Sequence, residues 1–183
     1  MKRWSVFLGT LVALVALTGC QSQKEWVDTT RYFKNLKPLK VLESSALLQS
    51  HSESWYVRAS EGGTFTLDFW EEGVHFQYTL TIDPNTLPEN MTVTMTVPDP
   101  TETEVYLDPA GTQLLDNYHL HMYISRSPLS SDSATMAVWN DVVQAWQEVD
   151  GNVTITDTYI EAEGDYMELN IVIVGEISEN ING

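Results

Sequence analysis

The chain has 183 residues, 26 of them acidic and 9 basic, for a formal net charge of −17. So negative a field repels phosphate backbones, which sets nucleic acid aside as a partner. With Cys20 as its single cysteine, the chain has no means of forming an internal disulfide or a multi-thiolate metal cage.

Residues 1–19 have the order of a secretory signal. Lys2 and Arg3 precede an apolar stretch from Val6 to Leu17, and the small residues Thr18 and Gly19 follow. Those twelve apolar-leaning positions fall short of the roughly 20 that a membrane-spanning helix needs. Leu17-Thr18-Gly19-Cys20 then resembles the bacterial lipobox. The resemblance implies cleavage after Gly19 and diacylation of the Cys20 sulfur, so that Cys20 becomes the lipid-bearing first residue of the mature protein. Two acyl chains on one residue meet the two-signal requirement for stable anchoring. Gln21 is not the aspartate that holds some lipoproteins at an inner membrane. The analogy therefore implies a bacterial cell membrane location, at the outer membrane if the organism has one.

Residues 20–39 read as a lipidated tether and residues 40–183 as one domain, long enough for a sizeable core. Charge divides along the same line. Residues 21–58 hold six bases and four acids, whereas residues 59–183 hold 22 acids and one base, Arg126. Lys24, Arg31, Lys34, Lys37 and Lys40 thus follow the anchor closely, where an anionic leaflet favours each cation by about 1 kcal/mol. The plainer alternative is a solvated tether with incidental lysines.

Periodic structure begins further on, with a period of two. TFTLDF (64–69), VHFQYTLTI (74–82), MTVTMTV (91–97), YHLHMYI (118–124) and MELNIVI (167–173) each put apolar side chains on alternate positions. Turn-forming clusters separate them, among them EGG at 61–63, EEG at 71–73, DPNTLPEN at 83–90 and DPAG at 108–111. The pattern predicts an all-β, antiparallel β-sandwich. In TMAVWNDVVQAWQEV (135–149), Met136, Trp139, Val142, Val143, Trp146 and Val149 fall at helical spacing, with Ser133 placed to cap. A hairpin turning near Asn140-Asp141 is the rival, and periodicity by itself leans to the helix.

The succession of Gly62-Gly63, the segment Pro84 to Glu89 before a threonine-rich strand, and the loop Asp108 to Thr112 before a buried strand is similar to the bacterial relatives of the ZU-five β-sandwich family. The likeness covers about residues 57–150. It implies a hairpin at 135–149 and a role in protein contact or mechanical linkage. Some relatives self-cleave at a His-Phe-Ser stretch; here only His75-Phe76-Gln77 occurs, without the nucleophilic hydroxyl, so that activity is not implied.

His119 and His121 stand two apart on a strand, so both imidazoles share a face and a zinc ion is conceivable if His51, His75, Asp68 or Asp116 converges on them. Otherwise they decorate a solvated surface. Trp70, beside the turn Glu71-Glu72-Gly73, is the best-placed ring for stacking on a sugar, although such rings more often fill a core or its rim. No phosphate loop, dinucleotide fingerprint, nucleophile elbow or calcium loop occurs. The expectation is a non-enzymatic protein-binding or structural module of the cell envelope. It carries no cofactor and no metal, and it contacts the membrane through its anchor and an unidentified envelope or extracellular protein. A carbohydrate-binding surface is the alternative, and a zinc-dependent hydrolase using His119 and His121 a more distant one.

Overall fold

The structure is a computed structural model that describes residues 31–43, 48–129 and 134–176. The lipobox, Cys20 and the signal-like segment lie outside the described residues, as does Ser133.

Among the described residues thirteen strands form in chain order: β1 (Tyr32–Phe33), β2 (Lys37–Pro38), β3 (His51–Val57), β4 (Gly63–Glu71), β5 (Val74–Ile82), β6 (Met91–Val97), β7 (Glu104–Asp108), β8 (Thr112–Ile124), β9 (Ala134–Asn140), β10 (Ala145–Glu148), β11 (Gly151–Ile155), β12 (Ile160–Leu169) and β13 (Ile171–Glu176). No helix occurs among the described residues. The strands make two sheets, one ordered β1-β10-β9-β13-β7-β6-β3 with β2 also on β13, the other ordered β11-β12-β8-β5-β4. Every pairing is antiparallel. This is the expected all-β sandwich.

Alternation explains the layering. In β5, Val74, Phe76, Tyr78, Leu80 and Ile82 are buried while His75, Gln77, Thr79 and Thr81 lie half-exposed between them. β6 and β8 repeat the scheme, and Val93, Met95, Val97, Leu120, Met122 and Ile124 fill the space between the sheets. The chain crosses from one sheet to the other after β3, β5, β7, β8, β10 and β12. Turns need particular backbone shapes at these joints. Gly62 has φ +62°, and a side chain there would run into the Ile82 carbonyl, so glycine alone fits.

The stretch 135–149 is a hairpin, not a helix. Asn140 closes its turn: the side-chain oxygen accepts from the amides of Val142 at 3.0 Å and Val143 at 3.2 Å. Gln144 takes the left-handed conformation with φ 51°. Trp139 and Trp146 meet edge to face across the hairpin, ring centres 5.3 Å apart. The helical spacing of Val142 and Val143 was therefore coincidental; both lie at the exposed tip.

MELNIVI is likewise not one strand. β12 ends at Leu169, and the chain changes sheets at Asn170, whose own side-chain oxygen accepts from the Ile171 amide at 2.8 Å. Met167 is exposed, whereas Val172, Ile173 and Val174 are all buried. Ile173 is covered from outside the sandwich, which its neighbours in sequence do not announce.

That cover is the segment read as the end of the tether. Residues 31–39 belong to the domain. β1 pairs with β10, β2 pairs with β13, and the residues between them cross the outside of the sheet as a strap. Phe33 and Leu36 pack with Ala137 and Ile173 in a second apolar cluster, bordered by Trp146 and Ile171. Gly175 lies directly under Leu36, and even a methyl group there would collide with it. Leu39 then enters the main core. Residues 31–39, expected to be tether, thus pack on the domain's sheet.

Candidate functional site

Two surfaces gather the polar and aromatic residues that could meet a ligand. The first is the outer face of the five-stranded sheet. Antiparallel register sets His119 opposite Asp165 on β12 and Thr81 on β5, and His121 opposite Glu163 and Thr79. His119 Nδ1 lies 2.9 Å from Asp165, and His121 Nε2 lies 2.9 Å from Glu161. The two histidines share a face as their spacing predicts, but each is engaged by its own carboxylate. Among the described residues no group of three histidine, aspartate, glutamate or cysteine side chains is arranged to hold a metal ion. The other proposed ligands fall elsewhere. His75 and Asp68 pair with one another at 3.0 Å, and His51 approaches Glu71 at 3.4 Å.

Trp70 occupies the far end of this face and is 65% exposed. Its ring stacks on His75 with centres 4.8 Å apart and planes 12° from parallel, so one indole face rests on protein. Asp68 beside it accepts from Gln77 at 3.1 Å and pairs with His75. The His75 contact, and then the Gln77 bond, hold the Asp68 carboxyl below its ordinary range by favouring the charged form. Tyr123 meets His75 edge-on and leans toward Tyr159. The result is a row of rings interleaved with polar groups.

The second surface is a cleft of about 1130 Å³ where the two sheets part. The β9–β10 hairpin forms one wall, and β11, β12 and the N-terminal part of β8 form the other. Its cause is local. Between the pairs Tyr166–Tyr118 and Glu168–Gln113 the register slips, so β8 bulges away from β12 and a gap opens. Asp141, Glu148, Asp150, Asp165 and Glu168 line it against one cation, Arg31, which is 3.3 Å from Glu148. Apolar groups border the same opening: Val142 at the hairpin tip is 93% exposed, and Met167 is 53% exposed. At the floor Tyr166 stacks on Tyr118, and its buried hydroxyl has no hydrogen-bond partner among the described residues. Burial, reinforced by Tyr118 and Asp165, keeps that phenol well above its ordinary range, so it is neutral.

No sequence signal marked this cleft. It depends on a bulge and on a hairpin, neither of which period-two alternation reveals. The one available hint was the pair Val142-Val143 following Asn140-Asp141, apolar residues inside a turn-forming tetrad.

The chain matches no family model, no curated protein and no solved structure. Its residues and their geometry therefore carry the functional reading.

Proposed function

We propose that this protein is a lipid-anchored module of a bacterial envelope that grips a partner protein at the cleft between its sheets and performs no chemistry of its own. The lipobox-like Leu17-Cys20 supports the anchor, and the ZU-five-like order of motifs supports a role in protein contact. The observation that carries the contact surface is the hairpin tip. Val142 and Val143 are held outward by Asn140 beside an acidic cleft, and exposed apolar groups rimmed by polar ones mark interaction sites. Five carboxylates against one guanidinium favour a partner segment that is both basic and apolar.

The test is a photo-crosslinking residue placed at position 142 in the native cell. A discrete crosslinked protein, lost when Val143→Asp is added to the same chain, is the expected result. Crosslinks that Val143→Asp leaves unchanged would overturn the reading. Mass measurement of the mature protein decides the anchor separately, through a diacylglyceryl group on Cys20.

Trp70 favours a second reading, carbohydrate binding on the outer face, because one indole face is free beside Asp68 and Gln77. Saccharide-dependent quenching of tryptophan fluorescence that disappears in Trp70→Ala would establish it.

A further inference from the structure

Every lysine of the chain lies in its first forty residues, at positions 2, 24, 34, 37 and 40. The last three are on the strap, where all three are exposed. Burial there repeats every third residue: Phe33, Leu36 and Leu39 turn inward, and Lys34, Lys37 and Lys40 are exposed. This is not helical periodicity, for the segment bends at Lys34-Asn35 and is bonded through β1 and β2 to two different strands. The stretch from Lys34 to Lys40 sets the three ammonium groups along a rail of at most roughly 20 Å.

Among the described residues none of the three makes an ion pair, although residues 59–183 hold 22 acids. Lys40 even faces Glu102 across a backbone bridge without engaging it. The arginines nearby behave differently: Arg31 reaches Glu148 at 3.3 Å, and Arg58 reaches Glu61 at 3.0 Å. The strap lysines are thus exposed cations, without an ion pair among the described residues, on an otherwise anionic body. Arg31 is eleven residues from Cys20, so even a fully extended chain separates them by no more than ~40 Å.

We infer that the strap is a membrane-docking rail, laid against anionic lipid headgroups so that the module sits with this side down and its acidic five-stranded sheet turned away. The inference rests on the anchored reading above and deepens it. The lipid supplies attachment, and the rail supplies orientation. Charge selects the occupant. An anionic leaflet attracts Lys34, Lys37 and Lys40 and repels the remainder of the domain, so one pose is favoured. The attraction fades within a Debye length of about 8–10 Å, which makes it dependent on contact and on salt.

The experiment uses the mature chain from residue 20 with Cys20→Ser, which keeps every described residue and removes any contribution of acylation. It is sedimented with vesicles of pure phosphatidylcholine or of phosphatidylcholine containing phosphatidylglycerol. Binding to the anionic vesicles is expected at low salt, with loss on neutral vesicles and at 0.5 M salt, about ten times the starting ionic strength. The variant Lys34→Gln/Lys37→Gln/Lys40→Gln should bind at least about tenfold more weakly, since each cation contributes about fivefold. Equal binding of the variant and the parent, or no preference of the parent for anionic vesicles, would overturn the inference. Neither outcome depends on acylation of Cys20, which the mass measurement decides independently.

Discussion

Thr103 shows how much one buried hydroxyl can organise. It is fully buried, and its oxygen accepts from the Leu39 amide at 2.9 Å while donating to the Val174 carbonyl. Its backbone repeats the connection, N–H to Leu39 and C=O from Val174. The segment following the strap is therefore tied to β13 through this side chain as well as through the Leu39 amide, which also donates to the Val174 carbonyl at 3.0 Å. Thr103→Val keeps the shape and leaves the Leu39 amide that one remaining acceptor, so urea denaturation should show a loss of about 0.5–1.5 kcal/mol. Two carboxylates give opposite pH behaviour. Asp68, lowered by His75 and Gln77, contributes stability that is present above the ordinary aspartate range and lost as pH falls through its depressed folded value. Glu104 is raised, first by burial and then by Glu102 and Asp99. Its contribution is complete below the ordinary glutamate range and is lost as pH rises through the elevated folded value. Urea midpoints measured across acid to neutral pH should show Asp68→Asn flattening the acid-side decline, and Glu104→Gln stabilising the neutral protein.

Among elements, those with one buried and one solvated face were legible. β5, β6 and the second half of β8 alternate as the sequence does, because a half-buried antiparallel strand writes its environment into every second residue. Elements covered on both sides, or turned at special residues, were not. Ile171 to Val174 read as the continuation of an alternating run because nothing local shows that Leu36 and Phe33 cover the outer side. The strap looked like polar linker because its apolar residues recur every three positions, a period that belongs to neither helix nor strand. The β9–β10 hairpin imitated a helix until Asn140 bent it. Asn140→Ala removes the acceptor for two turn amides and the bond from Asn140 Nδ2 to Gln147 at 2.9 Å. It should cost about 1 kcal/mol by thermal or urea denaturation, and faster amide exchange at Val142 and Val143 would localise the loss. The candidate histidines were correctly placed on one face by their spacing, whereas their carboxylate partners depended on register with β12, which spacing alone does not disclose.

For the whole molecule, charge is the dominant global property. A net −17 over the full chain opposes compaction, and screening relieves that repulsion. Raising sodium chloride from about 0.05 to about 0.5 M, a range that shortens the Debye length severalfold, should therefore increase the melting temperature; an unchanged or lower value would mean that local pairs outweigh the global field. The same salt weakens the proposed docking of the strap, so stability and membrane contact should respond to it in opposite directions. The strap has one more consequence. Among the described residues β10 is bordered on its outer side by the two residues of β1 alone, and unpaired strand borders recruit strands from other molecules. A chain clipped after Leu36 would bare both that border and the greasy patch over Ala137 and Ile173, inviting a second copy to zip alongside. The strap that covers this patch thus also serves as a guard against self-association.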